Sequence, residues 1–322
     1  MLAAYATAPN PSDPLAALEV GERPEPEVPD GWTTVSVRAA SINYHDLWTL
    51  RGVGLAPDRY PMILGNDASG LDADGREVVV HSVIASPDWT GDETLDPKRT
   101  LLSELHPGTF GERVAVPARN VLPKPAELSH VDAACLSTAW LTAYRMLFVK
   151  AGVRPGGSIL VQGASGGVAT ALIALGAATG YRVWVTGRTE EKRRAALALG
   201  AHAAFEPGAR LPGRVDAVME TVGEATWAHS LKALEPGGRL VVCGATSGPN
   251  PPADLSRVFF RQLSVVGSTM GTRAELEALI RLLVTTGLRP AVDTTLPLER
   301  AAEGLAKMAA GDTAGKIVLT LD

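Results

Sequence analysis

A glycine-rich turn at residues 163–168 is the part of the sequence whose residue types point most directly to a chemistry. It follows the apolar run Ile159–Val161 and opens an alanine-rich stretch, the pattern of a buried strand that turns into a helix. Small side chains let the backbone approach a phosphate, and a helix N-terminus offers unpaired N–H groups. The spacing Ala164-x-Gly166-x-x-Ala169 departs from G-x-G-x-x-G at both ends. The prediction of a cofactor site therefore rests mainly on the position of this turn between a strand and a helix. We predict a dinucleotide pyrophosphate site formed by Gly163, Ala164, Ser165, Gly166, Gly167 and Val168.

The choice between NAD and NADP depends on residues about 20 positions later. An NAD site places Asp or Glu at the end of the second strand, where the carboxylate holds the ribose 2′-hydroxyl. Here Arg188 stands in that place and Lys192 follows it. Arg188 can pair bidentately with a 2′-phosphate and Lys192 can add a second charge, so the sequence favours NADP(H). The alternative is that both residues belong to a solvated helix face beside Glu190 and Glu191.

The elements that must position this turn are expected within residues 124–287. Apolar strands alternate there with alanine-rich amphipathic segments, which is typical of βαβ units and a parallel sheet with helices on both faces. Thr189 is the expected N-cap of the helix 190–200, and Gly200 is its expected stop. We therefore predict a doubly wound parallel sheet over residues 124–287.

Residues 1–123 are instead rich in Pro and Gly and carry short β-branched runs. This pattern predicts small antiparallel sheets, with Asp74-Gly75 as the turn of a hairpin. The last segment contains one expected helix, 298–310, and one expected strand, 316–321, which we expect to pack on the first domain. The predicted fold class is α/β, with one domain of residues 1–123 and 288–322 and a second of residues 124–287.

Composition and charge exclude several classes of protein. The 322 residues are 46% hydrophobic and 20% charged, which is typical of a globular chain with sizeable cores. A formal net charge of -5 leaves no basic field for nucleic acid, and no apolar stretch is long enough for a membrane span. The opening residues lack the basic segment of a secretory signal, so we expect a cytoplasmic protein. Cys135 and Cys243 suggest neither a disulfide framework nor a thiolate zinc site.

Four segments occur in an order and at a spacing that resemble a known family. They are residues 39–48 (AASINYHDLW), residues 63–70 (ILGNDASG), the glycine-rich turn, and residues 238–248 (GRLVVCGATSG). The chain resembles the medium-chain dehydrogenase/reductase superfamily, most closely its zinc-independent, quinone-oxidoreductase-like branch. The resemblance implies a GroES-like catalytic domain, a Rossmann domain and a homodimer that pairs the last Rossmann strand, Leu263–Gly267, of two subunits. It also implies cofactor contacts from Thr142, Gly244 and Ala245.

The positions that bind zinc in zinc-dependent relatives are occupied differently here. Those relatives carry Cys where Asn43 stands, a His-Glu pair where Asn66 and Asp67 stand, and Cys or Asp near Thr138. A catalytic zinc needs three such ligands. The stretch 82–106, which corresponds to the relatives' structural zinc lobe, has no cysteine. We therefore predict no bound metal; the alternative is a makeshift site of His45, His81 and His106.

Without a metal, hydride transfer relies on hydrogen-bond donors aimed at the developing oxyanion. This favours substrates that spread negative charge, and the resemblance implies NADPH-dependent reduction of a quinone or an α,β-unsaturated carbonyl compound. The resemblance also places the candidate catalytic residues Asn43, Tyr44 and His45 in the first motif. His45 stands where zinc-containing relatives keep a Ser or Thr proton relay, and is the expected acid because histidine titrates near neutral pH.

Simpler roles are alternatives for each of these residues. Asn43 and Asp46 can fix the local turn and cap the helix that follows, Tyr44 can line the substrate site, and solvent can protonate the product instead of His45. For the whole chain the alternatives are an NADP(H)-binding protein with little catalysis, and an alcohol dehydrogenase or carbonyl reductase. The missing ligands disfavour an ordinary alcohol dehydrogenase.

Overall fold

A computed structural model describes residues 1–321. In chain order its strands are β1 (Leu2–Ala6), β2 (Leu18–Glu22), β3 (Trp32–Ser41), β4 (Met62–Ile63), β5 (Asp67–Leu71), β6 (Glu77–Val80), β7 (Val83–Ile84), β8 (Thr100–Leu101), β9 (Arg113–Pro117), β10 (Val121–Pro123), β11 (Ser158–Gln162), β12 (Arg182–Thr186), β13 (Ala203–Phe205), β14 (Val215–Glu220), β15 (Leu234–Val242), β16 (Ser264–Gly267), β17 (Val292–Pro297) and β18 (Lys316–Thr320).

The α-helices, again in chain order, are α1 (Tyr44–Leu50), α2 (His130–Ala133), α3 (Leu141–Tyr144), α4 (Gly167–Ala178), α5 (Glu190–Ala198), α6 (Glu224–Ala233), α7 (Leu255–Phe260), α8 (Arg273–Thr286) and α9 (Ala301–Ala309). Two π-helical segments, Leu136–Trp140 and Arg145–Lys150, flank α3. Within residues 1–321, none of the helices is long and apolar enough to cross a lipid bilayer. The chain divides into two compact units, residues 1–139 with 270–321, and residues 140–269.

The first unit is built on a seven-stranded sheet. Its strands lie in the order β10-β6-β5-β3-β18-β17, and β9 pairs with the first part of β3. β18 comes from the end of the chain and pairs antiparallel with β3, so that Val318 lies opposite Ser41. The apolar faces of these strands close on one core, to which α1 contributes Leu47 and α9 contributes Leu305. The predicted final helix and strand therefore correspond to α9 and β18.

The predicted hairpin joins β5 to β6. Asp72 Oδ1 accepts hydrogen bonds from the backbone N–H groups of Asp74 and Arg76, each at 2.9 Å. Gly75 has a φ of +78°, a conformation that glycine adopts without steric cost. The two strands pair antiparallel, so the hairpin predicted at Asp74-Gly75 is confirmed.

The second unit holds a six-stranded parallel sheet in the order β13-β12-β11-β14-β15-β16, which confirms the predicted parallel sheet. Because the strands are parallel, their carboxyl ends lie along one edge of the sheet. Gln162 pairs there with Thr186 on the neighbouring strand. α5 begins as predicted, since Thr189 Oγ1 accepts a hydrogen bond from the Lys192 backbone N–H at 3.2 Å. Gly200, just after α5, has a φ of +109°.

The division between the units differs from the predicted boundaries at residues 123 and 287. The segment 124–139 belongs to the first unit, where the His130 ring nitrogen Nδ1 lies 2.9 Å from Ser69 Oγ. The helix α8 also belongs to it, and the Arg273 side chain donates a hydrogen bond to the Arg119 carbonyl at 2.8 Å. The sequence pattern shows where strands stop alternating with helices, and the predicted boundaries follow it. The unit on which a helix packs depends instead on long-range hydrogen bonds such as these.

Candidate active site

Asn43 lies between the end of β3 and the start of α1, and its side chain is buried. Its amide is bonded at both ends. Nδ2 donates to Asp67 Oδ2 at 2.8 Å and to the Ser41 carbonyl at 3.2 Å, while Oδ1 accepts from Lys316 Nζ at 2.5 Å. Both amide hydrogens are therefore committed inside the protein, which favours a positioning role for Asn43 over direct contact with a substrate.

The partners of Asn43 form a buried ion pair. Lys316 Nζ lies 3.6 Å from Asp67 Oδ2, and both side chains are almost completely buried. Lys316 also donates to the Ile42 carbonyl at 2.8 Å, and Ser41 Oγ donates to Asp67 Oδ2 at 2.7 Å. A buried charge is tolerated only when it is paired and hydrogen-bonded. These bonds therefore join β18, β3 and the start of β5 directly below the first turn of α1.

Asp46, in the first turn of α1, also fixes the start of this helix. Its carboxylate accepts hydrogen bonds from the backbone N–H groups of Asn43, at 2.8 Å, and Gly65, at 3.0 Å. Complete burial raises the pKa of Asp46 from 3.8 to about 6, although both hydrogen bonds and the neighbouring His45 oppose this rise. The expectation that Asp46 caps this segment is confirmed.

The first residues of α1 are the other two catalytic candidates, Tyr44 and His45. Tyr44 is half-buried and packs edge-on against Trp48, with ring centroids 6.3 Å apart. The His45 ring nitrogen Nε2 lies 3.3 Å from Glu104 Oε1. The other ring nitrogen, Nδ1, is buried and has no hydrogen-bond partner within the part of the chain that the structure describes.

Glu104 is held in place by its own loop. Its second oxygen, Oε2, accepts from the Leu101 backbone N–H at 2.9 Å and from Thr100 Oγ1 at 3.1 Å. Partial burial acts to raise the pKa of Glu104, but the hydrogen bonds from His45 and Leu101 outweigh it and hold this pKa below its ordinary value. Glu104 is thus an ionised, oriented partner of His45.

In the second unit, the glycine-rich turn joins β11 to α4. Gly163 has a φ of +91°, which a residue with a side chain rarely adopts. Gly166 is the N-cap of α4; no side chain caps this helix end, and its first turn contains no acidic residue. A Cβ atom added to Gly166 would meet nothing within 4 Å. An uncapped helix start with free space beside it can accept an anionic group, so the pyrophosphate site at Gly163, Ala164, Ser165, Gly166, Gly167 and Val168 stays a prediction compatible with this geometry.

Buried polar side chains support this turn from below. Thr186 Oγ1 donates to Gln162 Oε1 at 2.6 Å and accepts from the Gly163 N–H at 3.3 Å. Gln162 Nε2 donates to Ser230 Oγ at 2.9 Å, and Ser230 donates to the buried Glu220 carboxylate at 2.6 Å. The turn is therefore fixed by a hydrogen-bonded chain that crosses three strand ends.

The predicted selector of NADP lies at the same edge of the sheet. Arg188 is exposed and follows β12 after one glycine, and Lys192 lies in the first turn of α5. The neighbouring Arg193 is turned away, because its guanidinium donates to the Gly187 carbonyl at 2.8 Å and contacts Glu206 at 3.4 Å. The Arg188 side chain is thus more open to a ligand than that of Arg193.

The remaining predicted cofactor residues lie on two further elements of the second unit. Gly244 and Ala245 follow β15, and a Cβ at Gly244 would lie 3.1 Å from the Thr221 carbonyl oxygen. This contact puts the chain after β15 against the end of β14, on the edge where Gly163 lies. Thr142 is buried in α3, which packs on α4.

Two family models match the chain. The model described as alcohol dehydrogenase GroES-like domain matches residues 29–126, and the model described as zinc-binding dehydrogenase matches residues 167–285. A solved NAD-dependent alcohol dehydrogenase is 33% identical to this chain, with a TM-score of 0.92 over 100% of both chains. This chain belongs to the medium-chain dehydrogenase/reductase superfamily.

Other proteins that match this superfamily member act on enoyl thioesters, as their names state. An acryloyl-coenzyme A reductase of Metallosphaera sedula is 29% identical over 324 residues, 94% of this chain and 96% of the relative. A solved 2-octenoyl-CoA carboxylase reductase, in complex with NADP and 2-octenoyl-CoA, is 26% identical, with a TM-score of 0.91 over 99% of this chain and 87% of its own. The superfamily assignment confirms the GroES-like plus Rossmann fold class. The protein is an oxidoreductase that uses a nicotinamide cofactor and a small-molecule substrate.

Zinc-dependent members of the superfamily raise the question of a metal ion. The residues at the corresponding positions do not fit one. Asn66 Oδ1, Asp67 Oδ1 and Thr138 Oγ1 are buried and have no hydrogen-bond partner within residues 1–321, but the amide and hydroxyl oxygens among them are poor zinc ligands, and the Asn43 amide is bonded through both its nitrogen and its oxygen. Asp67 Oδ2 already accepts from two side chains. Within residues 1–321, no group of three or more His, Cys, Asp or Glu side chains is placed to hold a metal, and this includes His45, His81 and His106.

Three side chains that support the two candidate sites cannot be recognised from the motifs in the sequence. Lys316 is the first residue of a strand, Glu104 lies in a loop of irregular structure, and Glu220 ends a buried strand. Lys316 and Glu104 act through partners that are distant in the chain, Asn43 and His45, whereas the partners of Glu220 lie within the ten residues that follow it. A usable signal existed only for Glu220, because a carboxylate that ends an otherwise apolar strand has to find buried donors.

Proposed function

We propose that the protein is an NADPH-dependent, zinc-free reductase that transfers hydride to a quinone or to the activated C=C bond of an α,β-unsaturated carbonyl compound. One observation carries the proposal. At the positions where zinc-dependent relatives hold their metal, Asn43 and Asp67 are bonded to each other and to Lys316. A site of this composition offers hydrogen bonds and charge, but Asp67 is its one carboxylate, whereas a catalytic zinc needs three ligands that bind it well.

Such a site suits an acceptor that spreads negative charge by itself. Hydride addition to an isolated ketone leaves the full charge on one oxygen, which in metal-dependent enzymes is stabilised by a Lewis acid. Hydride addition to an enone, an enoyl thioester or a quinone gives a delocalised anion that hydrogen-bond donors can stabilise. The similarity to two reductases named for enoyl-CoA substrates supports enoyl thioesters as the first members of this class to examine.

Each candidate residue has a proposed part in this reaction. The nicotinamide, when bound, supplies the hydride. Tyr44 donates a hydrogen bond to the substrate oxygen as negative charge develops, and His45 gives the proton that completes the reduction. Asn43 acts indirectly, because its bonds to Asp67 and Lys316 hold the start of α1 in place. The cofactor is held by the turn at residues 163–168 together with Thr142, Arg188, Lys192, Gly244 and Ala245.

NADP(H) is the proposed form of the cofactor. The exposed Arg188 lies just after β12, where a ribose 2′-phosphate would accept its two parallel N–H bonds. The similar 2-octenoyl-CoA carboxylase reductase was solved with NADP, which agrees with this choice. The similar alcohol dehydrogenase is described as NAD-dependent, so the preference has to be measured on this chain.

We also propose a homodimer formed through β16, the terminal strand of the parallel sheet. Val265 on this strand is 49% exposed, and α7 beside it exposes Leu255 by 70% and Phe260 by 79%. An apolar edge strand invites pairing, and pairing with the same strand of a second copy would cover it. Light scattering at micromolar concentration should give twice the 33.6 kDa mass of the chain, whereas a monomeric mass contradicts the dimer.

The reaction is tested by following NADPH oxidation with quinones, enones and short enoyl-CoA thioesters. The protein is assayed before and after treatment with a chelator, and its zinc content is measured in parallel. We expect turnover with at least one acceptor class, unchanged by the chelator. Tight NADPH binding without turnover on any acceptor would instead support a cofactor-binding protein with little catalysis.

An alcohol dehydrogenase is the second candidate, favoured by the 33% identity to a solved enzyme of that description. It requires a zinc ion held by different donors from those seen around Asn43. One stoichiometric zinc per chain, together with chelator-sensitive oxidation of alcohols, would establish this candidate and overturn the first.

A further inference from the structure

The loop of residues 82–106 brings a carboxylate to the site. In zinc-containing relatives this stretch corresponds to the structural zinc lobe, but here it contains no cysteine. Instead, Glu104 Oε1 lies 3.3 Å from His45 Nε2, with both side chains about three-quarters buried. We refer to these two residues as the His45–Glu104 pair.

We propose that Glu104 is a positioning residue for His45: it keeps a proton on Nε2 and leaves Nδ1 as the nitrogen that passes a proton to the substrate. The inference rests on the proposed function, in which His45 completes the reduction. Glu104 itself touches neither substrate nor cofactor in this scheme.

The orientation of Glu104 determines which nitrogen of His45 carries the proton. Glu104 Oε2 is occupied by two donors, the Leu101 N–H and the Thr100 hydroxyl. The carboxylate is therefore not free to rotate, and Oε1 faces His45 as an acceptor. A neutral imidazole has one donor and one acceptor nitrogen. With Nε2 as the donor to Glu104, the lone pair of the neutral ring lies on Nδ1.

The surroundings of Nδ1 agree with a role in proton transfer. This atom is buried and lacks a hydrogen-bond partner within residues 1–321. Buried polar atoms are almost always hydrogen-bonded, so an unpartnered one marks a place for a ligand atom or a water. Two charged groups interact with the ring: Glu104, and the adjacent Asp46, whose carboxylate accepts hydrogen bonds from backbone N–H groups.

The proton balance follows from this geometry. The imidazolium form carries a proton on each nitrogen. When hydride has added to the substrate, Nδ1 gives its proton to the resulting enolate or hydroquinone anion, and the ring becomes neutral with its remaining proton on Nε2. Glu104 stays ionised throughout and stabilises the imidazolium before the transfer. A proton from solvent then restores the imidazolium.

The test is Glu104→Gln, read by ¹⁵N NMR of the His45 ring in the protein without substrate. The Leu101 N–H needs an acceptor, so the glutamine oxygen should remain there and its NH₂ group should face Nε2. We therefore expect the neutral ring to reverse its tautomer, from a proton on Nε2 to a proton on Nδ1. Turnover should fall at least tenfold, while NADPH affinity changes less than twofold.

Two further variants make the result specific. Glu93→Gln removes a carboxylate from the same loop that makes no bond to His45, and it should leave both the tautomer and turnover unchanged. Glu104→Asp restores an acceptor and should return the proton to Nε2 with part of the turnover. If Glu104→Gln does not fold, the unmodified protein decides: a neutral His45 ring with its proton on Nδ1 overturns the inference.

The outcomes separate this inference from the proposed function. An unchanged tautomer in Glu104→Gln overturns the inference, whatever happens to turnover. A reversed tautomer with undiminished turnover overturns the proton transfer from Nδ1. Absence of NADPH-dependent reduction in the unmodified protein overturns the proposed function, and the NMR comparison still decides whether Glu104 sets the tautomer.

Discussion

The glycine-rich turn of the second unit and the His45 site of the first are built in different ways. The turn is one continuous stretch, and its properties come from the backbone: a φ of +91° at Gly163 and an uncapped start of α4. The His45 site is assembled from side chains far apart in the chain, since Glu104, Asp67 and Lys316 all support the first turn of α1. The backbone site is therefore local, whereas the side-chain site exists only in the folded unit.

Because of this difference, we expect the two regions to respond differently to the removal of a side chain. A substitution that removes a side chain of the His45 site leaves its buried partner without a hydrogen bond. The resulting loss of unfolding free energy is larger than the net contribution of that hydrogen bond. A side chain removed near the turn at residues 163–168 affects mainly the ligand, because the turn is supported by the Gln162 and Thr186 bonds below it. Four predictions test this contrast, from the largest expected effect to the smallest.

Lys316→Met should cause the largest loss, about 3–5 kcal/mol of unfolding free energy, because it leaves the Asp67 carboxylate buried without its cation. Urea denaturation followed by circular dichroism measures this loss. Lys307→Met is the matched control; it breaks the more exposed pair with Asp293, 2.6 Å apart, and should cost less than about 1 kcal/mol. Equal losses in the two variants would mean that the His45 site does not depend on its buried pair.

Removing the proposed donors should lower turnover by roughly tenfold to a thousandfold each. The variants are Tyr44→Phe, which keeps the ring packed on Trp48, and His45→Ala. NADPH affinity should hardly change, because the proposed cofactor residues belong to the other unit. Tyr60→Phe, which removes a hydroxyl bonded to the Thr49 carbonyl, is the control and should leave turnover intact. Near-normal turnover in both donor variants would show that solvent protonates the product.

The contrast between the two regions also explains what the sequence could predict. The turn at residues 163–168, the parallel sheet and the Thr189 cap can be predicted from the sequence, because each depends on residues close together in the chain. The contacts of Lys316 and Glu104 cannot, because a lysine that begins a strand and a glutamate in a loop look like surface residues until their partners are known. The predicted boundaries at residues 123 and 287 differ from the structure for the same reason, since long-range bonds hold α8 on the first unit.

Asp46 allows a test of the His45 site through pH. Burial raises its pKa from the ordinary value of 3.8 to about 6 in the folded protein, so the folded state binds more protons than the unfolded state between these two pH values. Stability from this group is present below pH 4 and is lost as the pH rises through 6, by up to roughly 3 kcal/mol. Asp46→Asn removes this titration but also one hydrogen-bond acceptor. The variant should be less stable than the parent at pH 4, and this difference should shrink by pH 8; a difference independent of pH would contradict the assignment.

Arg188→Ala addresses the second unit and should have the smallest effect, because it leaves the fold untouched. The parent should bind NADPH more tightly than NADH, and the substitution should narrow this gap by roughly 1–3 kcal/mol, the usual size of a charge-assisted hydrogen bond. Calorimetric titration of both cofactors measures the gap, and the melting temperature should stay the same because the Arg188 side chain is exposed. Arg194→Ala, on the α5 helix that follows Arg188, removes an arginine paired with Glu190 at 3.6 Å; it is the control and should not change the cofactor preference. Equal affinity of the parent for NADPH and NADH would show that Arg188 does not select the cofactor. A large loss of stability in Arg188→Ala would mean that this region, like the His45 site, depends on its side chains for folding.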